Sequence, residues 1–250
     1  MFNNFKKNIY SQNGEDGILE EILKKLNLKI NGWCCEFGAW DGKHGSNTFN
    51  LVKNFGYKAI YIESDKNKFK NLKKTQKEYP NIFAINETID KNKNSINSLE
   101  RILEKTEIPF DFEILSIDID SYDLEVWESL EKYKPKIVVI EINSSIKPGI
   151  IQRHNLNLKN QGSSFTATVE VGKKKGYLLV CHTGNCIFLK EEFKDKINYN
   201  RNILNNPNIL FDISWLNKRE SVFKKLFLKL VPLPIIEFTR KIKNLFNRYN

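Results

Sequence analysis

The sequence contains few cysteines and no long apolar run, and both absences restrict the class of protein. Four of its 250 residues are cysteine, Cys34, Cys35, Cys181 and Cys186, and their spacing is not that of a zinc ribbon. We therefore expect reduced thiols. No stretch is long and uncharged enough to span a membrane, and no signal-peptide-like apolar segment follows the first residues. Together these absences predict a cytoplasmic protein, neither secreted by that route nor integral to a membrane.

Internal repeats and low-complexity linkers are also absent, whereas positive charge is in excess. The formal net charge is +10, and the hydrophobic content is 40%. The lysines are interpreted as scattered among asparagine and isoleucine, which favours the compositional bias of an AT-rich genome over a polyanionic partner. The length predicts one domain with a modest appendage, here residues 1–215 and an extension of residues 216–250.

Apolar periodicity predicts an alternation of strands and helices. Strands are expected at 33–37, 58–63, 81–86, 112–119, 136–142, 177–182 and 186–189. Helices are expected at 14–26, 47–54, from 69 onward, at 96–104 and 124–130, and from 165 to about 172–176. Such alternation implies right-handed crossovers and a parallel sheet. The last two strands flank a Thr-Gly-Asn loop, which predicts a C-terminal antiparallel hairpin.

The segment 36–42, Glu-Phe-Gly-Ala-Trp-Asp-Gly, is the most informative motif. An apolar strand that runs into a turn of small residues lets a ligand approach the backbone, here at Gly38 and Gly42. The segment 61–65, Tyr-Ile-Glu-Ser-Asp, then ends a second predicted strand with a carboxylate, Glu63, which can accept both hydroxyls of a ribose. The pairing predicts a nucleoside-binding site.

The loop chemistry distinguishes among nucleoside cofactors. The glycines fall at Gly38, Gly42 and Gly45, not in the Gly-x-Gly-x-x-Gly spacing that places a dinucleotide's pyrophosphate at a helix N-terminus. Glu36 and Asp41 would repel a pyrophosphate, but they suit the sulfonium and ammonium groups of a cationic cofactor. We therefore predict that the cofactor is S-adenosylmethionine.

These motifs resemble those of the FkbM-type class I methyltransferases. The resemblance covers roughly residues 11–189 and is carried by segments 36–42, 62–65, 118–120 and 139–142, together with Asn47, Thr48, Phe69 and Leu72. The family pattern has Asp in place of Glu36, Pro in place of Ser64 and Glu-Gly in place of Asp120-Ser121.

The resemblance implies a Rossmann-like class I methyltransferase sheet, mostly parallel with a C-terminal antiparallel hairpin and helices on both faces. It also implies that Ala39 and Asn47 belong to the cofactor site.

Further cofactor contacts are predicted from neighbouring segments. Asn86 follows the third predicted strand, where an adenine ring normally finds a polar partner, and Ser64 flanks the same position; a solvated loop is the alternative. The polar, glycine-containing segment 10–17 precedes the first helix. Helix capping explains part of it. Because such segments close over the cofactor in related methyltransferases, Gln12 and Glu15 are expected to do so here.

Acidic and amide residues end two neighbouring strands. Asp118 and Asp120 close the fourth strand, and Glu141 and Asn143 close the fifth. The carboxyl edge of a parallel sheet is where α/β proteins bind ligands. One aspartate is predicted to act as a general base on an acceptor hydroxyl. Alternatively, the four side chains bind Mg²⁺ or Mn²⁺, or Asp120 only caps the following helix.

The three histidines are assigned different roles. His182, beside two cysteines, is interpreted as structural, because the cluster has no zinc spacing. His44 lies between Gly42 and Gly45 in the turn predicted to bind the cofactor, which is called the cofactor turn below. His154 follows the fifth strand, where acceptor loops lie, and is predicted to contact the substrate.

The C-terminal segment 222–250 alternates Phe and Leu with Lys and Arg and is broken by two prolines. This pattern predicts either peripheral binding at an anionic inner-membrane face, packing onto the domain, or pairing in a homo-oligomer.

The sequence as a whole predicts a methyltransferase that acts on an oxygen of a glycan, a lipid-linked sugar or a similar metabolite. Two alternatives remain open: a metal-dependent glycosyltransferase that uses Asp118-x-Asp120, and a non-catalytic membrane-associated scaffold of the same fold. A nucleic-acid partner is not expected, because no basic patch with interleaved aromatic residues is visible.

Overall fold

A computed structural model describes residues 2–157 and 161–214, and the residues up to Asp212 form one compact unit. It contains a seven-stranded sheet of order β3-β2-β1-β4-β5-β7-β6. The strands are β1 (Trp33–Phe37), β2 (Lys58–Ile62), β3 (Ile82–Ile85), β4 (Ile114–Ile117), β5 (Ile137–Glu141), β6 (Tyr177–His182) and β7 (Asn185–Lys190). Neighbours are parallel except where β7 pairs with β5 and β6. This confirms the predicted Rossmann-like class I methyltransferase sheet.

Seven helices flank the sheet in the part of the chain that is described. They are α1 (Glu15–Leu26), α2 (Phe49–Phe55), α3 (Lys66–Glu78), α4 (Leu99–Leu103), α5 (Asp123–Ser129), α6 (Phe165–Lys174) and α7 (Arg201–Asn205). The apolar sides of α1, α2 and α3 form one buried cluster, and those of α4, α5 and α6 form another on the opposite face. Because side chains alternate along each strand, every strand supplies both clusters.

The four cysteines are buried free thiols, as expected from their spacing. Cys34 and Cys35 lie on opposite faces of β1, within different clusters. Burial raises the pKa of both thiols above the ordinary value. They therefore behave as small apolar core residues.

The boundaries of several elements differ from the sequence prediction, and α3 and β4 are two clear cases. Helix α3 begins at Lys66 and not at Phe69, because the Asp65 carboxylate accepts hydrogen bonds from the backbone N–H groups of Asn67 and Lys68. Strand β4 covers only Ile114–Ile117, shorter than the predicted 112–119. Helix α7 and the short 3-10 turns were not predicted, since they lack a clear apolar period.

The predicted extension of residues 216–250 lies outside the described residues. Within the described part, no helix combines the length and apolarity needed to cross a membrane.

Candidate functional site

The carboxyl ends of four adjacent strands bring the predicted site residues to one edge of the sheet. Gly38 follows β1, Glu63 follows β2, Asp118 follows β4, and Glu141 is the last residue of β5. Parallel pairing aligns these ends, with Phe37 opposite both Ile62 and Ile117. The fold therefore gathers glycine and acid residues that are far apart in sequence, as predicted.

Gly38 occupies a position where the turn after β1 touches the chain leaving β4. Its φ is 76°, a left-handed backbone conformation that favours glycine. A Cβ added there would lie 1.7 Å from the backbone oxygen of Asp118. A side chain at this position would therefore separate the two loops that carry the candidate cofactor and catalytic residues.

Replacing Gly38 by alanine is expected to destabilise the protein much more than the same change at Gly176. Both glycines have a positive φ, 76° and 81°, but a Cβ at Gly176 meets no atom within 4 Å. Gly176→Ala should therefore cost about 1–2 kcal/mol from the backbone alone. Gly38→Ala should add the clash to that cost. Urea unfolding of both variants measures the difference, and equal losses would contradict the close approach.

Glu63 is held in a fixed orientation by the backbone of the two turns around it. One carboxylate oxygen accepts the N–H of Trp40 at 2.8 Å, and the other accepts the N–H of Asp65 at 2.8 Å. The side chain is only 4% exposed. A carboxylate offers about four acceptor positions, so roughly two remain for a ligand. Glu63 therefore links the two turns and can still accept further hydrogen bonds.

A small cavity lies among the residues at the ends of β1, β2, β3 and β4, and it is lined by the two chain neighbours of Glu63. Its volume is about 150 Å³. It is lined by Phe37, Gly38, Ile62, Ser64, Glu87, Thr88, Ile89, Ile119 and Ser121. Apolar walls with a few polar groups are what a planar heterocycle such as adenine requires.

Asn86 shapes the cavity without lining it. Its side-chain amide donates to the backbone oxygens of Glu63 at 2.7 Å and Ser64 at 3.2 Å, so it fastens the end of β3 to the end of β2. Ser64 itself lines the cavity.

The carboxylates of Glu36 and Asp41 accept hydrogen bonds from residues of the turn that follows β1. One oxygen of Glu36 accepts the hydroxyls of Ser46 and Thr48 and the N–H of Thr48. One oxygen of Asp41 accepts the N–H groups of Lys43 and His44. In the described structure both acids therefore maintain the shape of the turn, and their predicted cofactor contacts stay predictions.

Asn47 and Gln12 connect this turn to its neighbours. The Asn47 amide donates to the hydroxyl of Ser116 in β4 at 3.1 Å. The exposed Gln12 lies against Gly45, with its amide nitrogen 2.7 Å from the place where a Cβ of Gly45 would be. Gln12 thus lies against the turn at Gly45, and its predicted contact with the cofactor stays a prediction.

Glu15 occupies a different place from the one predicted for it. It is fully buried, and its carboxylate accepts hydrogen bonds from Thr183 at 2.6 Å, from Asn185 at 3.2 Å and from the N–H of Asn13 at 2.8 Å. These contacts tie the start of α1 to the turn between β6 and β7. Because the side chain is fully buried in these contacts, Glu15 does not close over a ligand in the described structure.

Three acids meet where β4 and β5 end. Carboxylate oxygens of Asp118, Asp120 and Glu141 all lie within 4.8 Å of one another. Asp120 has a φ of 56°, a strained conformation for a residue with a side chain. Asn143, the fourth predicted ligand, is engaged elsewhere: its amide nitrogen donates to Gln161, and its oxygen accepts from Ser145.

Asp123 holds the loop that presents these acids, and the sequence analysis did not identify it. Its two carboxylate oxygens accept the N–H groups of Ile119 at 2.8 Å and Ser121 at 2.9 Å, on either side of Asp120. An acid in the first turn of a helix, directly after a polar turn, was the signal that could have revealed it.

The pKa values of two acids at this edge of the sheet are shifted. Burial first, and the neighbouring carboxylates second, raise the pKa of both Asp118 and Glu141 above their ordinary values. A hydrogen bond between the two favours a state in which Glu141 keeps its proton and Asp118 is the ionised partner. The pair can thus hold one proton near neutral pH.

Asp118 and Glu141 should contribute a fall in the free energy of unfolding as pH rises through this range, and Glu141→Gln should remove part of that contribution. A carboxyl group whose pKa is raised by folding binds more protons in the folded than in the unfolded state. A rise in pH therefore favours unfolding. Urea unfolding at about pH 5 and about pH 8 measures the change for the wild type and the variant. The exposed Asp195→Asn serves as a control that should match the wild type. An unchanged pH dependence in Glu141→Gln would contradict the assignment.

His154 contacts Tyr122, which follows the acid loop in sequence. It is 6% exposed and packs edge-on against Tyr122, with ring centroids 4.6 Å apart, just beyond Asp120 in sequence. Its Nδ1 accepts the N–H of Gly162 at 3.2 Å, whereas its Nε2 is buried without a hydrogen-bond partner. A buried polar atom without a partner is costly, so Nε2 is available to a ligand.

The other two histidines lie in different settings. His182 accepts the N–H of Asp212 at Nδ1 and contacts the Ser144 hydroxyl at Nε2, and burial lowers its pKa to about 4. These contacts fit the structural role predicted for it. The side chain of His44 is 83% exposed at the surface of the cofactor turn.

No family model and no curated protein matches the chain. Solved structures that are similar include an S-adenosylmethionine-dependent methyltransferase from Aquifex aeolicus, with a TM-score of 0.42 and 12% identity over 68% of this chain and 87% of the other. A precorrin-6y C5,15-methyltransferase from Geobacter metallireducens has a TM-score of 0.44 and 13% identity over 73% and 90%.

A sarcosine dimethylglycine methyltransferase assigned to Galdieria sulphuraria has a TM-score of 0.43 and 14% identity, and the match covers 66% of this chain and 62% of that one. The chain therefore spans less than two thirds of that protein. The likeness is too low to identify a specific family, and the fold assignment depends on the strand order described above.

Proposed function

We propose that this protein is an S-adenosylmethionine-dependent methyltransferase that transfers the methyl group to a hydroxyl oxygen. The main support for the proposal is the position and orientation of the Glu63 carboxylate. This residue directly follows β2, its carboxylate is oriented by two backbone N–H groups, and its chain neighbours Ile62 and Ser64 line a cavity that Gly38 also borders. A ribose offers two adjacent hydroxyl donors, which a fixed carboxylate can accept together.

The charge of the edge supports a cationic cofactor. Asp118, Asp120 and Glu141 lie close together, and among the described residues no ion pair to a lysine or arginine neutralises them. A sulfonium placed between this cluster and the glycine turn would be attracted electrostatically, whereas a pyrophosphate would be repelled. The same cluster therefore favours S-adenosylmethionine over a dinucleotide.

Asp118 is the residue proposed to remove the proton from the acceptor. As the methyl moves, an O–CH₃ bond forms, the S–CH₃ bond breaks, and the hydroxyl proton passes to the Asp118 carboxylate. The pKa of Asp118 is raised by burial, which makes it a stronger base than an ordinary aspartate. Glu141 donates to Asp118, and Asp123 fixes the loop, so both are positioning residues.

His154 is proposed to contact the acceptor. Its unpartnered Nε2 and its contact with Tyr122 place a free polar atom beside the loop of Asp118 and Asp120. An acceptor hydroxyl or ring oxygen would satisfy that atom.

A divalent cation is a second way to activate the acceptor. The oxygens of Asp118, Asp120 and Glu141 suit Mg²⁺ or Mn²⁺, whereas Asn143 is committed to its own loop. Such an ion, when bound, would lower the pKa of a coordinated hydroxyl. The metal-dependent glycosyltransferase predicted as an alternative would use the same acids, but the class I methyltransferase strand order does not favour it.

The acceptor is proposed to be a hydroxyl of a glycan, a lipid-linked sugar or a related metabolite, in the cytoplasm or at the inner membrane face. Contact with an anionic membrane through residues 222–250, and homo-oligomer formation, remain predictions from the sequence.

Calorimetry with S-adenosylhomocysteine tests the cofactor site. The wild type should bind without added metal, and Glu63→Ala should weaken binding by about 1–3 kcal/mol, because the ribose hydroxyls lose their acceptor. Glu63→Gln, which keeps one acceptor oxygen, should lose less. The exposed Glu107→Ala should bind as the wild type does.

Two outcomes would contradict the proposal. The first is no binding of S-adenosylhomocysteine together with metal-dependent binding of a UDP-sugar, which would favour the glycosyltransferase. The second is undiminished affinity in a folded Glu63→Ala protein, which would place the ribose elsewhere. Thermal unfolding of each variant shows whether it is folded.

A further inference from the structure

The solvent side of α3 is unusually basic. Of its 13 residues, six are lysine and only Glu78 is acidic. All six lysines are exposed: Lys66, Lys68, Lys70, Lys73, Lys74 and Lys77. The helix is about 20 Å long at the usual rise per residue. This clustering differs from the scattered distribution inferred from the sequence.

The lysines of α3 lack acidic partners. Lys70, Lys73 and Lys74 contact only the neutral side chains of Asn67, Gln76 and Asn71, and within the described chain none of the six forms an ion pair. Like charges three and four residues apart destabilise a helix. Helix stability therefore does not explain this face.

Comparison with helix α1 shows that compositional bias alone does not explain the basic face of α3 either. That surface helix carries acids and lysines together, and Lys25 pairs with Glu21 at 3.5 Å. A general surplus of lysine would be expected to affect both helices alike, yet α3 carries six lysines and a single acid, Glu78, which pairs with Lys43 outside the helix.

The basic face adjoins the candidate cofactor site. Helix α3 starts three residues after Glu63, and Ser64, which lines the cavity, lies between them. Trp40 is 50% exposed, and the Lys68 ammonium lies 5.4 Å from its ring centroid. The Trp40 N–H is bound by Glu63, so the backbone that carries the indole is fixed.

We propose that α3 and Trp40 form a docking surface for an anionic glycan whose hydroxyl is methylated at the adjacent acidic edge. The assignment rests on the proposed methyltransferase function and specifies the class of its acceptor. Lysine ammonium groups pair with the carboxylates, phosphates or sulfates of such a chain. An exposed indole face gives an apolar surface on which a sugar ring can stack.

Charge distribution favours a glycan over a nucleic acid. A phosphodiester at every nucleotide would bring negative charge up to Asp118, Asp120 and Glu141, which repel it. A glycan in which neutral sugars alternate with charged ones can rest its charges on α3 and present an uncharged hydroxyl to the acids. A membrane surface is less suitable, since the exposed residues of α3 include no large apolar side chain.

Binding of a fluorescent hyaluronan oligosaccharide, which alternates charged and neutral sugars, tests the proposal on the full chain. The triple variant Lys70→Gln, Lys73→Gln, Lys74→Gln removes three charges away from the cavity. The control Lys105→Gln, Lys173→Gln, Lys174→Gln removes three exposed charges elsewhere. We expect an affinity loss of about tenfold for the α3 variant and about twofold or less for the control, with salt weakening wild-type binding.

Several results would overturn the proposal. One is an equal loss in both triple variants, which would indicate net charge alone; another is no hyaluronan binding by the wild type. A larger α3-dependent affinity for poly(U) RNA, or for vesicles containing phosphatidylglycerol, would assign the face to a different partner. S-adenosylhomocysteine affinity, measured on the same proteins, should stay unchanged; its absence from the wild type would refute the methyltransferase itself, independently of the glycan result.

Discussion

The close approach of the turn after β1 to the end of β4 is the constraint on which the candidate site depends. At Gly38 the two chains are so near that a Cβ would overlap the backbone oxygen of Asp118. This approach sets the cofactor turn beside the acid loop. Glu63 then fastens the same turn to the end of β2 through the N–H of Trp40. Cofactor and acceptor would therefore meet at a place fixed by backbone contacts rather than by long side chains.

Electrostatics divides this part of the molecule into two regions of opposite sign. Burial first, and neighbouring carboxylates second, raise the pKa values of Asp118 and Glu141, so folding acts against the ionised form of both acids. A sulfonium would relieve the repulsion between these carboxylates when it binds. The lysines of α3 follow Glu63 and Ser64 along the chain and do not line the cavity, so they would attract an anionic chain without bringing its charges to the acids. The arrangement favours a cationic donor and a polyanionic acceptor with a neutral reacting hydroxyl.

Much of the fold could be predicted because its signals are local. The strand at Trp33–Phe37 matches the prediction, and β5 is recognisable from its run of β-branched residues. The ends of parallel strands meet at one edge, so Glu63, Asp118 and Glu141 could be grouped from sequence. The partners of Glu15 could not, because Thr183 lies 168 residues away and only the tertiary fold brings it near. The lysine-rich surface of α3 was missed because the excess of lysine was interpreted as scattered along the whole chain, and only the helix brings these lysines together.

A crystal structure of the protein with S-adenosylhomocysteine would show directly whether Glu63 binds the ribose. Both ribose hydroxyls should lie within hydrogen-bond distance of the Glu63 carboxylate. Adenine should occupy the cavity between Phe37 and Ile119, and the sulfur should lie over the Gly38 turn, facing Asp118. A ribose bound away from Glu63, or a cavity left unfilled while the ligand occupies another part of the surface, would contradict this placement of the cofactor.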